Sequence, residues 1–403
     1  MEKKFLIGIA LLLLLFNACK SAKKSGLNTR VEKVLLSTSS QYTYMMQGLP
    51  EGQYPKTYNA QQDQLETSGS DWWCSGFYPG TLLYLYEAFH SPVFAREIDR
   101  VLSDLQKEQY NTTTHDLGFM MYCSFGNAER LNPKPEYKEV LMNSAKSLAS
   151  RYNDTVKCIR SWDSASWNKA SEDDFVVIID NMMNLELLFW ASHNSGDSSY
   201  YNIAVNHADK TMENHFRSDY SSYHEVIYDE HTGALKAQIT NQGAADDSSW
   251  ARGQAWGLYG YVVLYRETKD QKYLQQANAI ANYIVHHPQM PKDKVPYWDF
   301  DAPNIPNALK DSSAAAIIAS ALLELSTYVA TDLKQEYYNT AALILESLLS
   351  TEYLAATGTN GGFILKHGVG NMPNNTEIDA PLSYGDYYLV EAMMRYKKQV
   401  QNQ

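Results

Sequence analysis

"ARGQAWGLYGYVVLYRETKDQKYLQQANAIANYIVHH", residues 251–287, holds two helical textures side by side. Residues 251–266 are apolar or aromatic on nearly every face. Residues 271–287 place Tyr, Leu, Ala and Ile on one stripe, with Lys, Gln and Asn opposite. A helix that is apolar all round has to be buried, whereas one with a single apolar stripe lies outside a core with its polar face in water. The stretch therefore reads as an inner helix followed by an outer one.

The same alternation runs along the chain. Buried-type segments cover 79–90, 116–128, 181–193, 251–266, 311–328 and 382–397. Amphipathic segments cover 29–47, 93–109, 135–151, 198–216, 271–287 and 333–349. Six of each in strict alternation predict an all-α fold, an (α/α)6 barrel forming a single domain over 29–403. Stacked bundles and a helical solenoid are the structural alternatives, and the lack of a fixed-period repeat disfavours the solenoid. Strand signals are sparse. The exception is 224–243, which predicts a β-hairpin turning at His231-Thr232-Gly233. Loops 218–250 and 288–310 are long, and long loops in a compact domain usually carry function.

The first residues read as a processing signal. "MEKK" is a basic start, "FLIGIALLLLLF" a short apolar run, and "FNAC" ends at Cys19. Residues 1–18 are expected to be a signal peptide, and 19–28 a lipidated Cys19 with a flexible tether. An ordinary signal peptide with an incidental Cys is the alternative. Cleavage before Cys19 removes one acidic and two basic residues, so the formal charge moves from −12 to −13. Such an acidic chain is ill suited to general nucleic-acid binding. Cys74, Cys123 and Cys158 have no metal-ligand spacing. No phosphate loop, GxGxxG, HExxH, GxSxG or CxxC pair is present, so no metal or cofactor is expected.

The polar motifs sit at the starts of the inner helices: "DWWCSGFYPG" (71–80), "THDLGF" (114–119), "IIDNMMN" (178–184), "DDSSWARGQAWG" (246–257), "KDSSAAA" (310–316) and "PLSYGDYY" (381–388). If the inner helices run parallel, these segments meet at one end of the barrel. Trp72, Trp73, Trp250 and Trp256 would line a cavity there, with Trp162, Trp167 and Trp298 on nearby loops. Flat rings with polar edges suit a pyranose; aromatic closure of a core is the plainer reading. Asp180 lies in "FVVIIDNMMNLELLFW" (175–190), almost alone among apolar residues. Either it caps a helix, or burial raises its pKa and makes it a general acid. Asn184, at i+4, is placed to orient it. Asp116, beside His115, would be the second carboxylate. Asp246, Asp247, Asp299, Asp301 and Asp386 compete for the same roles. Arg252 reads equally as a bridge to Asp246 or Asp247 and as a binder of a substrate carboxylate.

The ordered set "HDLGF", "IIDNMMNLELLFWAS", "DDSSWARGQAWGLYG", "YWDFDAP", "DSSAAAI" and "SYGDYYLVEA" resembles the unsaturated glucuronyl hydrolases of glycoside hydrolase family 88, from about residue 30 to the C-terminus. The resemblance implies an exo-acting enzyme. It would remove a non-reducing-end 4-deoxy-Δ4,5-uronic acid from lyase-generated oligosaccharides, with the glycosaminoglycan type favoured, by hydrating the C4=C5 bond. It implies Asp180 as the acid and Asp116 as the second essential aspartate. His224, Thr240, Gln242, Arg252 and Trp256 would bind the sugar, with Trp256 stacking on it; Trp73 and His115 complete the expected binding set. Asn241 departs from the family, which commonly has His there. Lys366 and His367 are candidates for a sulfate on the second sugar. The resemblance also implies a Gram-negative glycan degrader, periplasmic or held at the outer membrane, that meets the membrane only through its lipid. An unsaturated rhamnogalacturonyl hydrolase, a conventional two-carboxylate glycosidase and a non-catalytic glycan-binding lipoprotein are the rivals.

Overall fold

In the computed structural model, which describes residues 26–163, 171 and 174–402, the contrast between the two textures becomes a contrast in burial. Helix α1 covers 26–48. Then come strands β1 (Tyr54–Asn59) and β2 (Gln64–Ser68), and helices α2 (Phe77–Phe89) and α3 (Pro92–Leu105). A π-helix, Gly118–Gly126, runs into α4 (Asn127–Leu131), and α5 spans Pro135–Ala149. Strands β3 (Tyr152–Asn153), β4 (Cys158–Ile159) and β5 (Asp174–Ile178) lead to a 3₁₀ turn, Ile179–Asn184. Helices α6 (Leu185–Ser195) and α7 (Ser198–Asn214) follow, then β6 (Glu225–Asp229) and β7 (Leu235–Ile239). Helices α8 (Ala251–Thr268), α9 (Gln271–His286), α10 (Ser312–Leu325) and α11 (Thr331–Leu348) precede β8 (Gly368–Asn371), β9 (Thr376–Ala380) and α12 (Ser383–Gln401).

Every residue of α8 from Ala251 to Leu264 is buried. Its neighbour α9 buries Tyr273, Leu274, Ala277, Ile280, Ala281, Ile284 and Val285, a stripe at three- and four-residue spacing. The inner helices close a ring. Helix α12 packs on α2, α2 on the π-helix, the π-helix on α6, α6 on α8, α8 on α10, and α10 back on α12. Helices α3, α5, α7, α9 and α11 pack outside this ring. Tyr42 of α1 stacks on Tyr78 of α2 with centroids 5.9 Å apart, and its hydroxyl lies 3.4 Å from Asp386 of α12, so α1 covers the remaining seam. A closed ring removes the solenoid and the stacked bundle as readings. Local chemistry starts several helices: Asp197, Asp270 and Asp311 accept backbone N–H bonds at the N-termini of α7, α9 and α10.

Four differences from the sequence reading position the site. First, residues 26–28, assigned to the tether, are helical, and Leu27 is buried against the core. Second, 116–128 is largely a π-helix. A Cβ on Gly118 would lie 2.4 Å from the Asn184 Cα, so only glycine lets these two segments approach. Third, 175–178 is a strand buried on both faces, paired antiparallel with β6. Its β-branched run has no alternation to betray it. Fourth, small sheets occur where strand signals looked sparse. The hairpin over 224–243 does form: Asp229 accepts the backbone N–H groups of His231 and Thr232, and Gly233 takes φ +69°. Cys74, Cys123 and Cys158 are buried and free. Residues 1–25, with Cys19, and Trp167 lie outside the described residues.

Candidate active site

All six polar segments meet at one end of the ring. The Trp73 ring lies 4.9 Å from Tyr384 and 5.5 Å from Phe119. The Arg252 guanidinium sits 4.4 Å over Trp250 and 5.2 Å over Tyr384, and it bonds Asp311 at 3.1 Å. Asp116 lies close enough to Asp180 for its charge to push the Asp180 carboxyl up.

Asp180 follows strand β5. The 3₁₀ turn that carries it is pinned on both sides: Ile179 N–H donates to the His224 carbonyl at 2.9 Å, and the Asn181 amide donates to the Ile159 carbonyl at 2.9 Å. Helix α6 starts only at Leu185, and Asp180 Oδ2 has no hydrogen-bond partner. The cap reading therefore fails. The residue is 7% exposed, and burial lifts its carboxyl to about 7; Arg252 pulls it down and Asp116 pushes it up. At neutral pH it holds a proton for much of the time.

Asp116 is more open, with 14% of its side chain exposed. The Thr114 hydroxyl donates to its Oδ2 at 2.9 Å, and His115 Nε2 lies 3.3 Å from its Oδ1. His224 is buried, which holds it neutral, down to about 3. The Asn241 N–H donates to His224 Nδ1 at 3.0 Å, so Nε2 carries the ring proton. That proton points toward Asp180 Oδ2, 3.8 Å from Nε2. Asn241, the departure from the family pattern, thus fixes the tautomer through its backbone.

Several expectations need correction. Arg252 does not bridge to Asp246 or Asp247. Its partners are Asp311, the carbonyls of Val369 and Gly370, and Gln242 Oε1 at 2.9 Å. Trp256 is fully buried and packs against Phe119 and Tyr388, so it offers no face for a sugar to stack on. Trp250 is buried beneath Arg252. Of the four tryptophans expected to line the cavity, Trp73 is half-buried and Trp72 is 40% exposed beneath Lys56. Asn184 does not bond Asp180; its Oδ1 accepts the Phe119 N–H at 2.9 Å and ties the turn to the π-helix. Lys366 donates to the Thr351 carbonyl, and His367 pairs with Asp379 at 2.6 Å, so both are already engaged. Thr240 accepts the Gly243 N–H at 2.7 Å and shapes its loop. Asp299 accepts from Ala244 and Ser248, Asp301 from Ser249, Asp246 from Thr240, and Asp386 from Ile364 and Leu365. These carboxylates stitch loops. Asp247 is exposed.

Asp311, Tyr384, Thr114 and Ser161 carry parts of the site that went unassigned in the sequence. Asp311 had a signal, as the first residue of a D-S-S cap before an apolar run, but nothing local identifies an arginine 59 residues away as its partner.

No family model matches the chain. It is 47% identical over 345 residues to an unsaturated glucuronyl hydrolase of Formosa agariphila, covering 85% of this chain and 84% of the relative. It is 30% identical over 379 residues to an unsaturated chondroitin disaccharide hydrolase of Streptococcus pneumoniae, covering 93% of each. Among solved structures, an unsaturated glucuronyl hydrolase specific for heparin superposes with a TM-score of 0.88 at 45% identity, over 93% of this chain and 98% of the other. The unsaturated glucuronyl hydrolase of Bacillus sp. GL1 gives 0.84 at 26% identity, over 93% and 97%.

Proposed function

The chain belongs to the unsaturated glucuronyl hydrolases, glycoside hydrolase family 88, and we propose that Asp180 and Asp116 carry its chemistry. The reaction is exo-acting removal of a non-reducing-end 4-deoxy-Δ4,5-uronic acid from oligosaccharides left by polysaccharide lyases. The observation that carries the assignment is Asp180 itself: a buried carboxyl that titrates near 7, with one oxygen unpartnered.

In the unsaturated sugar the ring oxygen feeds electrons into the double bond, so C4 is the carbon that takes a proton. Asp180 supplies that proton. Positive charge develops at C5 and is shared with the ring oxygen, where the carboxylate of Asp116 stabilises it. Water gives its oxygen to C5 and a proton to the Asp180 carboxylate, which restores the acid. The hemiketal at C5 then opens. The ring oxygen leaves C5 as a hydroxyl on C1, C5 becomes a ketone, and C1 expels the next sugar as an alcohol while becoming an aldehyde. Gln242, its amide oxygen held by Arg252, keeps its amide nitrogen as a donor to the sugar. Trp73 offers the partly open ring face that Trp256 lacks.

The substrates we infer come from glycosaminoglycans. The structural relative described as specific for heparin is 45% identical, and the relatives named for chondroitin disaccharides are 30–32% identical. Heparin-derived disaccharides should therefore react fastest. The test follows ultraviolet absorbance of the conjugated ene-carboxylate in unsaturated heparin, chondroitin and hyaluronan disaccharides, beside saturated counterparts. Decay with the wild type and not with Asp180→Asn supports the hydration route. Cleavage of a saturated substrate would sink it. We also propose export of the enzyme and its tethering through a lipid on Cys19, which mass spectrometry of the mature N-terminus tests.

A further inference from the structure

Arg252 is 2% exposed, and its hydrogen bonds are turned inward. A guanidinium carries five N–H groups, two on each terminal nitrogen and one on Nε. Nη1 donates to Asp311 Oδ2 at 3.1 Å and to the Val369 carbonyl. Nη2 donates to Gln242 Oε1 at 2.9 Å and to the Gly370 carbonyl. The fork that would take a carboxylate in two parallel bonds is therefore filled by the protein. Nε alone lacks a partner. Among the described residues, Asp311 is the one carboxylate that Arg252 bonds. Asp311 is itself held fast. It is fully buried at the start of α10, and its Oδ1 accepts the Ser313 backbone N–H at 2.9 Å and the Ser313 hydroxyl at 2.6 Å. That leaves Oδ2 for the arginine.

We propose that Asp311 is a positioning residue for the reaction: it anchors Arg252 and balances its charge, so that Arg252 aims the Gln242 amide nitrogen at the sugar and Asp180 keeps the reacting proton. A buried charge stripped of its partner is costly, so a guanidinium without its counter-ion draws on another carboxylate. Asp180 is the other carboxylate that acts on the Arg252 charge, and Arg252 pulls the Asp180 carboxyl down. Without Asp311, Asp180 becomes the counter-ion, and an ionised Asp180 has no proton to give C4. The remaining groups do not take over this role. Asp116 pushes Asp180 up, and burial holds His224 neutral. Burial keeps the Tyr384 phenol, over which Arg252 sits, well above its ordinary range. Glu377 of β9 feels Arg252 but is paired with Lys56 at 3.7 Å.

The inference deepens the proposed reaction and rests on it for the role of Asp180, so one arm of its test reads protons without turnover. The full protein is labelled with ¹³C at the aspartate carboxyls, and the Asp180 signal is assigned by its absence in Asp180→Asn. In Asp311→Asn the Asp180 titration should move toward acid by about 1 pH unit, the low end of what one nearby charge does. In Arg252→Gln it should move toward alkali. Opposite signs from the two halves of one ion pair identify charge balance, because general damage to the site has no such sign. An Asp180 titration unchanged in Asp311→Asn, or shifts of the same sign in the two variants, overturns the proposal. Asn and Ser both cap helices, so Asp311→Ser replaces Asp311→Asn if that variant fails to fold. In the kinetic arm, the alkaline limb of kcat should move to lower pH in Asp311→Asn. KM should rise about 10-fold as Gln242 loses its anchor, the worth of one hydrogen bond. A kcat lowered equally at every pH, with the limb unmoved, makes Asp311 merely structural and overturns the proposal. A wild type that hydrates no unsaturated substrate sinks the reaction instead, and the carboxyl titrations still decide the ion pair.

Discussion

Two clusters of charged side chains stand in the inner ring, and they differ in what is left unpaired. Where the last turns of α8 and α10 meet α12, Arg266 pairs with Glu186, Glu267 and Glu324, and Arg395 pairs with Glu324 and Glu391. Tyr259, Tyr84 and Ser320 donate to Glu391. No buried polar side-chain atom of this group lacks a partner. At the motif end, Asp180 Oδ2, His115 Nε2, His224 Nε2, Arg252 Nε, Trp256 Nε1 and Asn184 Nδ2 all lack one. Unsatisfied buried polar groups cost stability. A saturated network closes a barrel, and an unsaturated one keeps donors and acceptors for something that is not protein. Burial alone does not draw this line: Glu391 and Asp180 are both buried, yet only Asp180 keeps an unpartnered oxygen.

Asp180→Asn attacks the unsaturated cluster and should have the largest effect. The ultraviolet assay should lose about 10²–10⁴-fold in rate, the range for a missing general acid. The variant should melt no lower than the wild type, because it removes an unpartnered carboxyl. Its pH dependence carries a sign. Burial raises the native pKa of both Asp180 and Asp386 to about 7, so the native state binds protons that the unfolded chain releases above the ordinary carboxylate range. The associated stability is complete below about pH 4 and is lost as pH rises through about 7. Melting across that window should flatten by about one proton in Asp180→Asn, while Asp386 keeps contributing a proton of the same sign. A lower melting temperature at every pH would mean that Asp180 is structural.

Arg266→Met attacks the saturated cluster and should do the reverse. It strands Glu186, while Glu324 keeps Arg395, and the pair is half-buried, so denaturant unfolding should register a loss of about 1–3 kcal/mol, the cost of a charged group left without its partner. The kcat of the folded fraction should hold. A catalytic loss without a stability loss would break the division between the two regions. Gly118→Ala sharpens it at the seam. The new methyl would meet the Asn184 Cα at 2.4 Å and its Oδ1 at 2.7 Å. Stability should fall by about 1–3 kcal/mol, the usual cost of overpacking. Turnover should fall by more than that loss implies, because the Asp180 turn shifts against Asp116.

Much of this molecule is local, and the local part was readable. Burial on every face or on one stripe is written in the order of residues along a single helix, so residues 251–287 by themselves determined an inner helix followed by an outer one, and the alternation determined the ring. Asp180 was readable because a carboxylate inside an apolar run is anomalous at short range, and the hairpin at His231–Gly233 because its turn chemistry is contiguous. What the tertiary structure decided lies between segments. Asp311 rather than Asp246 holds Arg252. Asn184 reaches Phe119 rather than Asp180. Trp256 is sealed by Phe119 and Tyr388 instead of facing a sugar. Strand β5 hid in an apolar run because a strand buried on both faces has no period to display. Periodicity reports the face on which a residue lies. Its partner depends on which other helix arrives at that face, and only closure of the ring fixes that.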